Sequence, residues 1–422
     1  MTYEFQYLMY LLSAAATGKK IKSPQQHVSW QTVFNLAQEQ HLLPLLMQAV
    51  KQGKLEGCPT DLLKAHERKS FSMVLTDCAR RGSVITLLEE MEELGIHAFV
   101  MKGMSAAANY SAPENRISSD TDICIELNLE EKTTEFLKEK GFSVSPRWEN
   151  GHHFLARHPE IGLLEVHVRL YDELVEDVWF KRINSNDLIQ EQQEKIVTDD
   201  GVYWTLGPTD HLIFMTLHLV KHFISEGISF RMMLDVALFL SKNKQRLDLK
   251  RFWSVLDLLH YTKLVQTLLG AMVTYCGFSE TDFGERFAWE NEDVELLLND
   301  LEAGGWLGKK DEAARKQGGY EYNRQVMLKE RSNWQYHLSM LNWQHSLKWS
   351  TLFPNRKRLQ RDYPCLEKRP ILLPFVWLHR ILFRGFPLFL RLGRSEQTMT
   401  NEVNISKAGK ERVMLFHKLD ML

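Results

Sequence analysis

Two aspartates two positions apart are the residues whose types and spacing most clearly indicate chemistry. Asp120 and Asp122 open the stretch Asp-Thr-Asp-Ile-Cys-Ile, which has the character of a β-strand. Because side chains alternate along a strand, both carboxylates are predicted to lie on one face. Two acidic groups held this close repel each other and lose solvation, so the pair requires a compensating positive charge.

A divalent cation is the usual source of that charge. Oxygen ligands suit Mg²⁺ (or Mn²⁺), which keeps several waters and binds through one or two carboxylates together with substrate phosphates. The spacing therefore predicts a magnesium cofactor and phosphate chemistry. The alternative is that Asp120 and Asp122 only solvate a turn and a strand edge, and the Asp-x-Asp pattern alone favours that alternative.

A later stretch, residues 163–170, supplies a third carboxylate. Its strict alternation puts one polar set on one face (Glu165, His167 and Arg169) and one apolar set on the other (Leu164, Val166 and Val168). We therefore predict a half-buried strand with a polar face that carries Glu165.

A turn before the Asp pair is predicted to bind an anion. The apolar run 97–101 meets Lys102 and Gly103 and passes into the helix-compatible stretch 105–110, so Gly103 stands where a strand turns into a helix. Backbone N–H groups at such a junction suit a phosphate.

Together these residues resemble the polymerase-β-like nucleotidyltransferase superfamily, and more closely its uncharacterised bacterial nucleotidyltransferase branch. In that branch a Lys-Gly turn, a Tyr with a following Pro, an Arg, an Asp-x-Asp strand and a Glu-x-His strand occur in this order. The matching positions here are Lys102, Gly103, Tyr110, Pro113, Arg116, Asp120, Asp122, Glu165 and His167. Met104 in the turn and Ser119 before the first Asp depart from the commoner superfamily pattern.

The resemblance implies an enzyme that transfers a nucleoside monophosphate from a nucleoside triphosphate such as ATP to an acceptor, releasing pyrophosphate. It implies that the catalytic and metal-binding residues are Asp120, Asp122 and Glu165. The implied nucleotide-binding residues are Lys102, Gly103, Ser105, Arg116 and His167. The acceptor is a small molecule, a protein or RNA. The alternative is a catalytically silent protein of the same fold that binds a nucleotide or a partner.

The composition is that of a soluble globular protein. The chain has 422 residues, of which 44% are hydrophobic and 25% charged, and its net charge of −2 gives no bulk attraction to nucleic acid or membrane. Five cysteines without Cys-x-x-Cys spacing indicate reduced thiols in a cytoplasm and argue against a zinc site. No apolar run approaches the roughly twenty residues of a transmembrane helix. We therefore expect a cytoplasmic protein.

Helical patterns flank the predicted site on both sides. We predict an α+β fold whose small mixed β-sheet, the nucleotidyltransferase core of residues 96–206, carries the active site. The N-terminal helical region is predicted at 1–95 and the larger C-terminal helical domain at 207–350. A basic, aromatic helical segment is predicted at 351–422.

Within that segment, residues 356–394 contain ten Lys or Arg against two acidic residues, with aromatic residues between them. Such a stretch can lie on an anionic membrane surface or grip a nucleic acid backbone. The alternative, which we favour, is a helix docked on the protein core with its arginines extended towards solvent.

Histidines recur along the chain, at His152, His153, His158 and His167 and again in a predicted helix at His218 and His222. The first group can indicate a transition metal, but no acidic or cysteine partner has a recognised zinc spacing. We therefore interpret it as surface or substrate-contacting. For the second group, a position facing the cleft and an interhelical contact with Asp235 are both compatible with the pattern.

Overall fold

The structure is a computed structural model that describes residues 1–55, 57–147, 151–170, 188–284, 287–331, 373–380 and 406–422. Met1–Tyr320 and Lys407–Leu422 form one compact unit, and Glu321–Ser406 form another. The described α-helices are α1 (Tyr3–Thr17), α2 (Trp30–Glu39), α3 (Leu43–Gly53), α4 (Thr60–Glu93), α5 (Met104–Ala107), α6 (Glu130–Glu139), α7 (Pro208–Ser225), α8 (Phe230–Asn243), α9 (Leu249–Leu258), α10 (Thr262–Cys276), α11 (Asn291–Gly304), α12 (Glu312–Arg331), α13 (Leu373–Arg380) and α14 (Lys407–Lys418). The described strands are β1 (Ala98–Val100), β2 (Asp120–Ile125), β3 (Ser143–Val144), β4 (His153–His158), β5 (Gly162–His167), β6 (Glu194–Thr198) and β7 (Gly201–Thr205).

The seven strands form one mixed sheet in the order β3-β4-β5-β2-β1-β7-β6. The strands β2 and β5 run parallel, as do β1 and β7, and the remaining neighbours are antiparallel. The two strands that carry the predicted acidic residues are therefore neighbours in the middle of the sheet. Their register places Asp122 directly beside Glu165.

One face of the sheet is apolar and packs against α4 and α6. Its core includes Ile123 of β2, Val166 of β5, Leu88 of α4 and Phe136 of α6, all buried. Burial of side chains of this size stabilises the fold by about 1.5–3 kcal/mol each. Because the side chains alternate, the acidic residues of β2 and β5 lie on the opposite face, as the sequence predicts.

The opposite face is only partly covered, by α7. Phe214 of this helix packs against Phe99, Met101 and Cys124 of the sheet. Where that apolar contact ends, the polar side chains of β2 and β5 line a cavity of about 370 Å³. The helix thus closes the sheet on one side and leaves room for a ligand beside the carboxylates.

Helices joined to one seven-stranded mixed sheet confirm the predicted α+β class. Ser29 caps α2, since its hydroxyl accepts a hydrogen bond from the Thr32 N–H at 3.4 Å. The four-part division at residues 95, 206 and 350 stays a prediction. The basic segment 356–394 lies outside the described residues except for α13. None of the helices that the structure describes is long and apolar enough to cross a membrane.

The last helix, α14, is attached to the larger unit through a buried charge. Arg412 is almost fully buried, and its guanidinium lies 2.7 Å from the carboxylate of Asp300 in α11. It also donates a hydrogen bond to the backbone carbonyl of Phe223 in α7. Arg315 pairs with the same carboxylate at 2.9 Å. Asp300 therefore compensates the buried guanidinium of Arg412 and, together with Asp311, that of Arg315.

We expect Arg412→Met to lower the free energy of unfolding by about 3 kcal/mol, because breaking a buried ion pair leaves its partners poorly compensated. The loss should lie near the lower end of the usual range, since Arg315 remains beside Asp300. Urea denaturation followed by circular dichroism measures it. The matched control is Lys418→Met in the same helix, whose exposed pair with Glu292 should contribute nothing measurable. An equal loss of unfolding free energy in both variants would contradict the stabilising role assigned to the buried ion pair of Arg412.

Candidate functional site

Three carboxylates reach the cavity from β2 and β5. Asp122 is 3% exposed, whereas Glu165 and Asp120 are partly exposed. Asp120 stands at the first position of β2, where the hydroxyls of Ser118 and Ser119 lie 3.2 and 3.4 Å from its Oδ1. All three predicted acidic residues line the same cavity. Asp122 and Glu165 stand side by side, and Asp120 lies towards the start of the strand.

The positive charge that this pairing requires comes from Lys102. Its Nζ lies 2.7 Å from Asp122 Oδ1, and His167 Nε2 lies 3.3 Å from the same oxygen. Burial alone would raise the pKa of Asp122, but the Lys102 ammonium and the His167 hydrogen bond hold that pKa well below its usual value. The sequence predicts a divalent cation in this role, and the structure shows that a side chain of the chain itself also fills it.

The pKa of Glu165 is shifted in the opposite direction to that of Asp122. Burial disfavours its ionised form, and the neighbouring charges of Asp122 and Asp120 add repulsion, so its pKa rises to about 7. Asp122 is therefore ionised at neutral pH, while Glu165 can hold or release a proton. Neighbouring carboxyl groups whose pKa values are pushed apart are suited to general acid and base roles.

The predicted phosphate-binding turn is present, but one of its residues points away from the cavity. Gly103 has a φ of +60°, a conformation that favours glycine, and α5 begins directly after it. The Ser105 hydroxyl is buried, where it donates to the Val100 carbonyl at 3.4 Å and accepts from Thr205 at 3.1 Å. Among the predicted nucleotide-binding residues, Lys102, Gly103, Arg116 and His167 line the cavity and Ser105 does not.

Arg116 is buried and held by a single carboxylate. Its Nε and Nη2 donate to Asp235 at 3.2 and 2.6 Å, and the Tyr110 hydroxyl donates to the same carboxylate at 2.7 Å. Asp235 therefore binds this pair of residues rather than a histidine, which decides between the two interpretations that the sequence leaves open. The Nη1 of Arg116 is buried and has no hydrogen-bond partner in the described structure.

Arg231 is a cavity residue that the sequence analysis missed. It donates to the Ile117 carbonyl at 3.0 Å, and its guanidinium lies 4.7 Å above the Trp306 ring. No carboxylate of the described residues forms an ion pair with it, and its buried Nε has no partner there. Burial and the nearby Arg116 lower its pKa to about 10. Arg231 stands four residues before Asp235, a spacing typical of an exposed helical pair, and the sequence does not reveal its burial.

A second missed group lies in α4 and fixes the segment that leads into the Asp pair. The buried carboxylate of Asp77 pairs with Arg80 at 2.8 Å and with Arg81 at 2.7 Å. It also accepts a hydrogen bond from the Ser118 N–H at 3.1 Å, and Arg80 donates to the Thr121 hydroxyl between the two aspartates. The spacing of three and four residues predicts helical ion pairs, but not their contact with β2.

The histidines of the hairpin also contribute to the cavity wall. His152 and His153 precede and begin β4, and both rings lie next to the ring of His167. On the other side of the cavity, His218 Nε2 lies 3.3 Å from Lys102 Nζ. Burial and the Lys102 charge lower the pKa of His218 well below its usual value. These imidazoles therefore line the cavity, His152 and His167 as buried residues and His153 and His218 as partly buried ones.

One group of side chains fits the predicted divalent ion. Ligand atoms of Asp122, Glu165 and His167 lie within 4.8 Å of one another, and Asp120 lies outside that group. Carboxylate oxygens are the ligands that Mg²⁺ and Mn²⁺ prefer, and an imidazole nitrogen is tolerated better by Mn²⁺. The residues present therefore fit a divalent cation.

A mixed sheet with paired carboxylates beside a Lys-Gly turn indicates the nucleotidyltransferase class. Residues 26–276 match the model of a family described as "Uncharacterised nucleotidyltransferase". That match spans more than half of the chain, so the chain belongs to this family, as the sequence motifs predict.

Comparison with solved structures gives one fungal protein that is similar to part of the chain. It is an antigenic nucleotidyltransferase-like protein from Paracoccidioides brasiliensis, with 16% sequence identity and a TM-score of 0.30. The similarity covers 49% of this chain and 93% of that chain. No curated protein matches the chain.

Asp77→Asn should lower the free energy of unfolding by about 3 kcal/mol, because it leaves two buried guanidinium groups without their carboxylate. Amide hydrogen exchange should rise in residues 113–119, which Asp77 and the two arginines hold. Urea denaturation and exchange mass spectrometry measure the two effects. The control Glu67→Gln changes an exposed carboxylate of the same helix that pairs with Lys51, and it should alter neither quantity. Unchanged exchange at 113–119 in Asp77→Asn would refute this positioning role.

Proposed function

We propose that this protein transfers a nucleoside monophosphate from a nucleoside triphosphate to an acceptor hydroxyl or other nucleophile, with pyrophosphate as the leaving group. The observation that carries the proposal is the side-by-side placement of Asp122 and Glu165, with opposite pKa shifts, at one end of a cavity. Membership of a nucleotidyltransferase family supports nucleotidyl transfer in general.

A divalent ion, Mg²⁺ (or Mn²⁺), is part of the proposal. Asp122 and Glu165 would hold it, with Asp120 and His167 beside them. When bound, such an ion neutralises triphosphate charge and stabilises the charge that develops in an in-line displacement. The high pKa of Glu165 fits this assignment, because a carboxylate pair that is incompletely neutralised by Lys102 favours a further positive charge.

The positively charged side of the cavity would bind the phosphates. Arg116 presents an unpartnered Nη1, and Arg231 carries a charge that no carboxylate of the described residues neutralises by an ion pair. A buried guanidinium without an anion is costly, and phosphate oxygens satisfy it with charge-assisted hydrogen bonds. Lys102 lines the same cavity beside Gly103 and can contact a phosphate oxygen from the carboxylate side.

Glu165 is suited to the proton transfer. As the acceptor oxygen bonds to the α-phosphorus, its proton passes to the Glu165 carboxylate, the bond from the α-phosphorus to the bridging oxygen breaks, and pyrophosphate leaves with that oxygen. In the metal-free protein the pKa of Glu165 is raised to about 7, so this carboxyl group exchanges a proton near neutral pH. Asp122 remains ionised throughout, because Lys102 and His167 stabilise its charge.

The setting of the reaction is a further part of the proposal. The acceptor would be a small molecule, a protein or RNA in the cytoplasm. Contact with a membrane surface or nucleic acid through residues 356–394 stays a prediction, since most of that segment lies outside the described residues.

Asp122→Asn and Glu165→Gln should each reduce nucleotidyl transfer by at least about a hundredfold, since the first removes a metal-binding charge and the second the proposed base. The assay incubates the protein with each α-labelled nucleoside triphosphate, Mg²⁺ and cell extract, and then identifies the labelled product. Glu160→Gln, in the exposed turn between β4 and β5, is the matched control and should retain full transfer.

One outcome would contradict the proposed metal-binding role, and another would contradict the activity itself. Full transfer by folded Asp122→Asn would show that the carboxylate pair does not hold the metal. Binding of a nucleoside triphosphate by the wild type without any labelled product would favour the catalytically silent alternative.

Arg231→Gln should weaken pyrophosphate binding by about tenfold or more, the effect of one lost charge-assisted hydrogen bond. It should change the melting temperature without ligand only slightly, because loss of the contacts with Ile117 and Trp306 is offset by removal of a partly buried charge that no ion pair compensates. Isothermal titration and thermal unfolding measure the two effects. The control Arg246→Gln removes an exposed guanidinium paired with Glu194 and should leave affinity unchanged. Unaltered affinity together with a lower melting temperature would show that Arg231 is only structural.

A further inference from the structure

We propose that His152, His153 and His167 form a transition-metal site in the wall of the cavity, next to the carboxylate group with which it shares His167, and suited to Zn²⁺ or Co²⁺. This inference stands on the imidazole cluster and does not depend on the proposed nucleotidyl transfer. All three residues line the cavity.

The geometry is close to that of a metal centre. The three ring centroids lie 4.4, 5.1 and 5.3 Å apart, and one ligand nitrogen from each ring lies within 4.8 Å of the others. His152 Nε2 and His153 Nδ1 are 3.2 Å apart. Two nitrogens bound tetrahedrally at about 2.0–2.1 Å from one Zn²⁺ would be separated by about 3.3–3.4 Å. A small movement of the third ring would complete the site.

The sheet holds the backbone of all three ligands in place. His153 of β4 lies opposite His167 of β5 in the antiparallel register. His152, just before β4, accepts a hydrogen bond from the Val168 N–H at 2.8 Å, which continues the same ladder. Sites built on paired strands are positioned more accurately than sites on loops, so the ligands are largely preorganised.

The hydrogen bonding of His167 leaves one nitrogen available for a ligand. Because the ionised Asp122 carboxylate can only accept, Nε2 must carry the proton at this 3.3 Å contact, and Nδ1 then has a free lone pair. That Nδ1 is buried and has no hydrogen-bond partner in the described structure. A histidine that donates one N–H to a carboxylate and binds metal through the other nitrogen is a common arrangement.

The charge state and the donor type select the class of ion. An imidazole binds a metal ion in its neutral form, through the lone pair of one ring nitrogen. Imidazole nitrogens suit Zn²⁺ and Co²⁺, whereas Mg²⁺ requires oxygen ligands. Three protein ligands leave a fourth position for water or a substrate oxygen from the cavity.

The test uses full-length protein that has been stripped of metal and titrated with Co²⁺ while visible absorption is recorded. We expect one equivalent of Co²⁺ to give ligand-field bands that Zn²⁺ removes and a large excess of Mg²⁺ does not. His152→Gln and His153→Gln should each weaken Co²⁺ binding by at least about tenfold. His158→Gln, on the same strand but outside the cluster, is the matched control and should bind like the wild type.

A carboxylate variant separates this site from the proposed Mg²⁺ site. Glu165→Gln removes a ligand of the proposed Mg²⁺ site that is not part of the imidazole cluster, so it should leave Co²⁺ binding unchanged. Loss of the Co²⁺ bands in Glu165→Gln, with normal binding in both histidine variants, would overturn the proposal. If a histidine variant fails to fold, X-ray absorption of the Zn²⁺-loaded wild type decides, since fewer than three imidazole ligands would also overturn it.

Discussion

The placement of two like charges side by side is the constraint on which the site depends. The parallel register of β2 and β5 puts Asp122 beside Glu165 in a partly dry environment, where repulsion and lost solvation are both costly. Lys102 compensates Asp122, with Nζ 2.7 Å from its Oδ1. Lys102 does not fully offset the desolvation of Glu165 or its repulsion by Asp122, so the pKa of Glu165 rises to about 7. A difference in proton affinity between two neighbouring carboxyl groups thus follows directly from strand register.

The other end of the cavity has more positive than negative charge. Two guanidinium groups, that of buried Arg116 and that of partly buried Arg231, stand near the single carboxylate of Asp235, which forms an ion pair only with Arg116. One end of the cavity therefore favours an added cation and the other an added anion. A nucleoside triphosphate that carries a divalent ion satisfies both ends at once, which neither a simple cation nor a simple anion does.

Sequence patterns predicted those features of the site that depend on the spacing of residues near one another in the chain. The alternation around Glu165 and the glycine after Lys102 were sufficient for the strands, the turn and the acidic residues. The partners of those residues depend on contacts between distant segments. The Asp77 contact with Ser118 and the isolated charge of Arg231 require knowledge of burial that no local pattern contains. Ser105 of α5 illustrates the same limit, because its hydroxyl accepts a hydrogen bond from Thr205 of β7 and the residue does not line the cavity.

A single oxygen atom connects the parts of this site. Asp122 Oδ1 is approached both by Lys102, from the predicted phosphate-binding turn, and by His167, from the imidazole cluster. A ligand that draws Lys102 towards a phosphate leaves more negative charge for the His167 N–H, which makes that imidazole a stronger donor through its other nitrogen. Because coupling between two sites is reciprocal, an ion on the imidazoles must change phosphate affinity by the same factor. The contacts of one carboxylate thereby make the predicted phosphate-binding turn and the imidazole cluster interdependent.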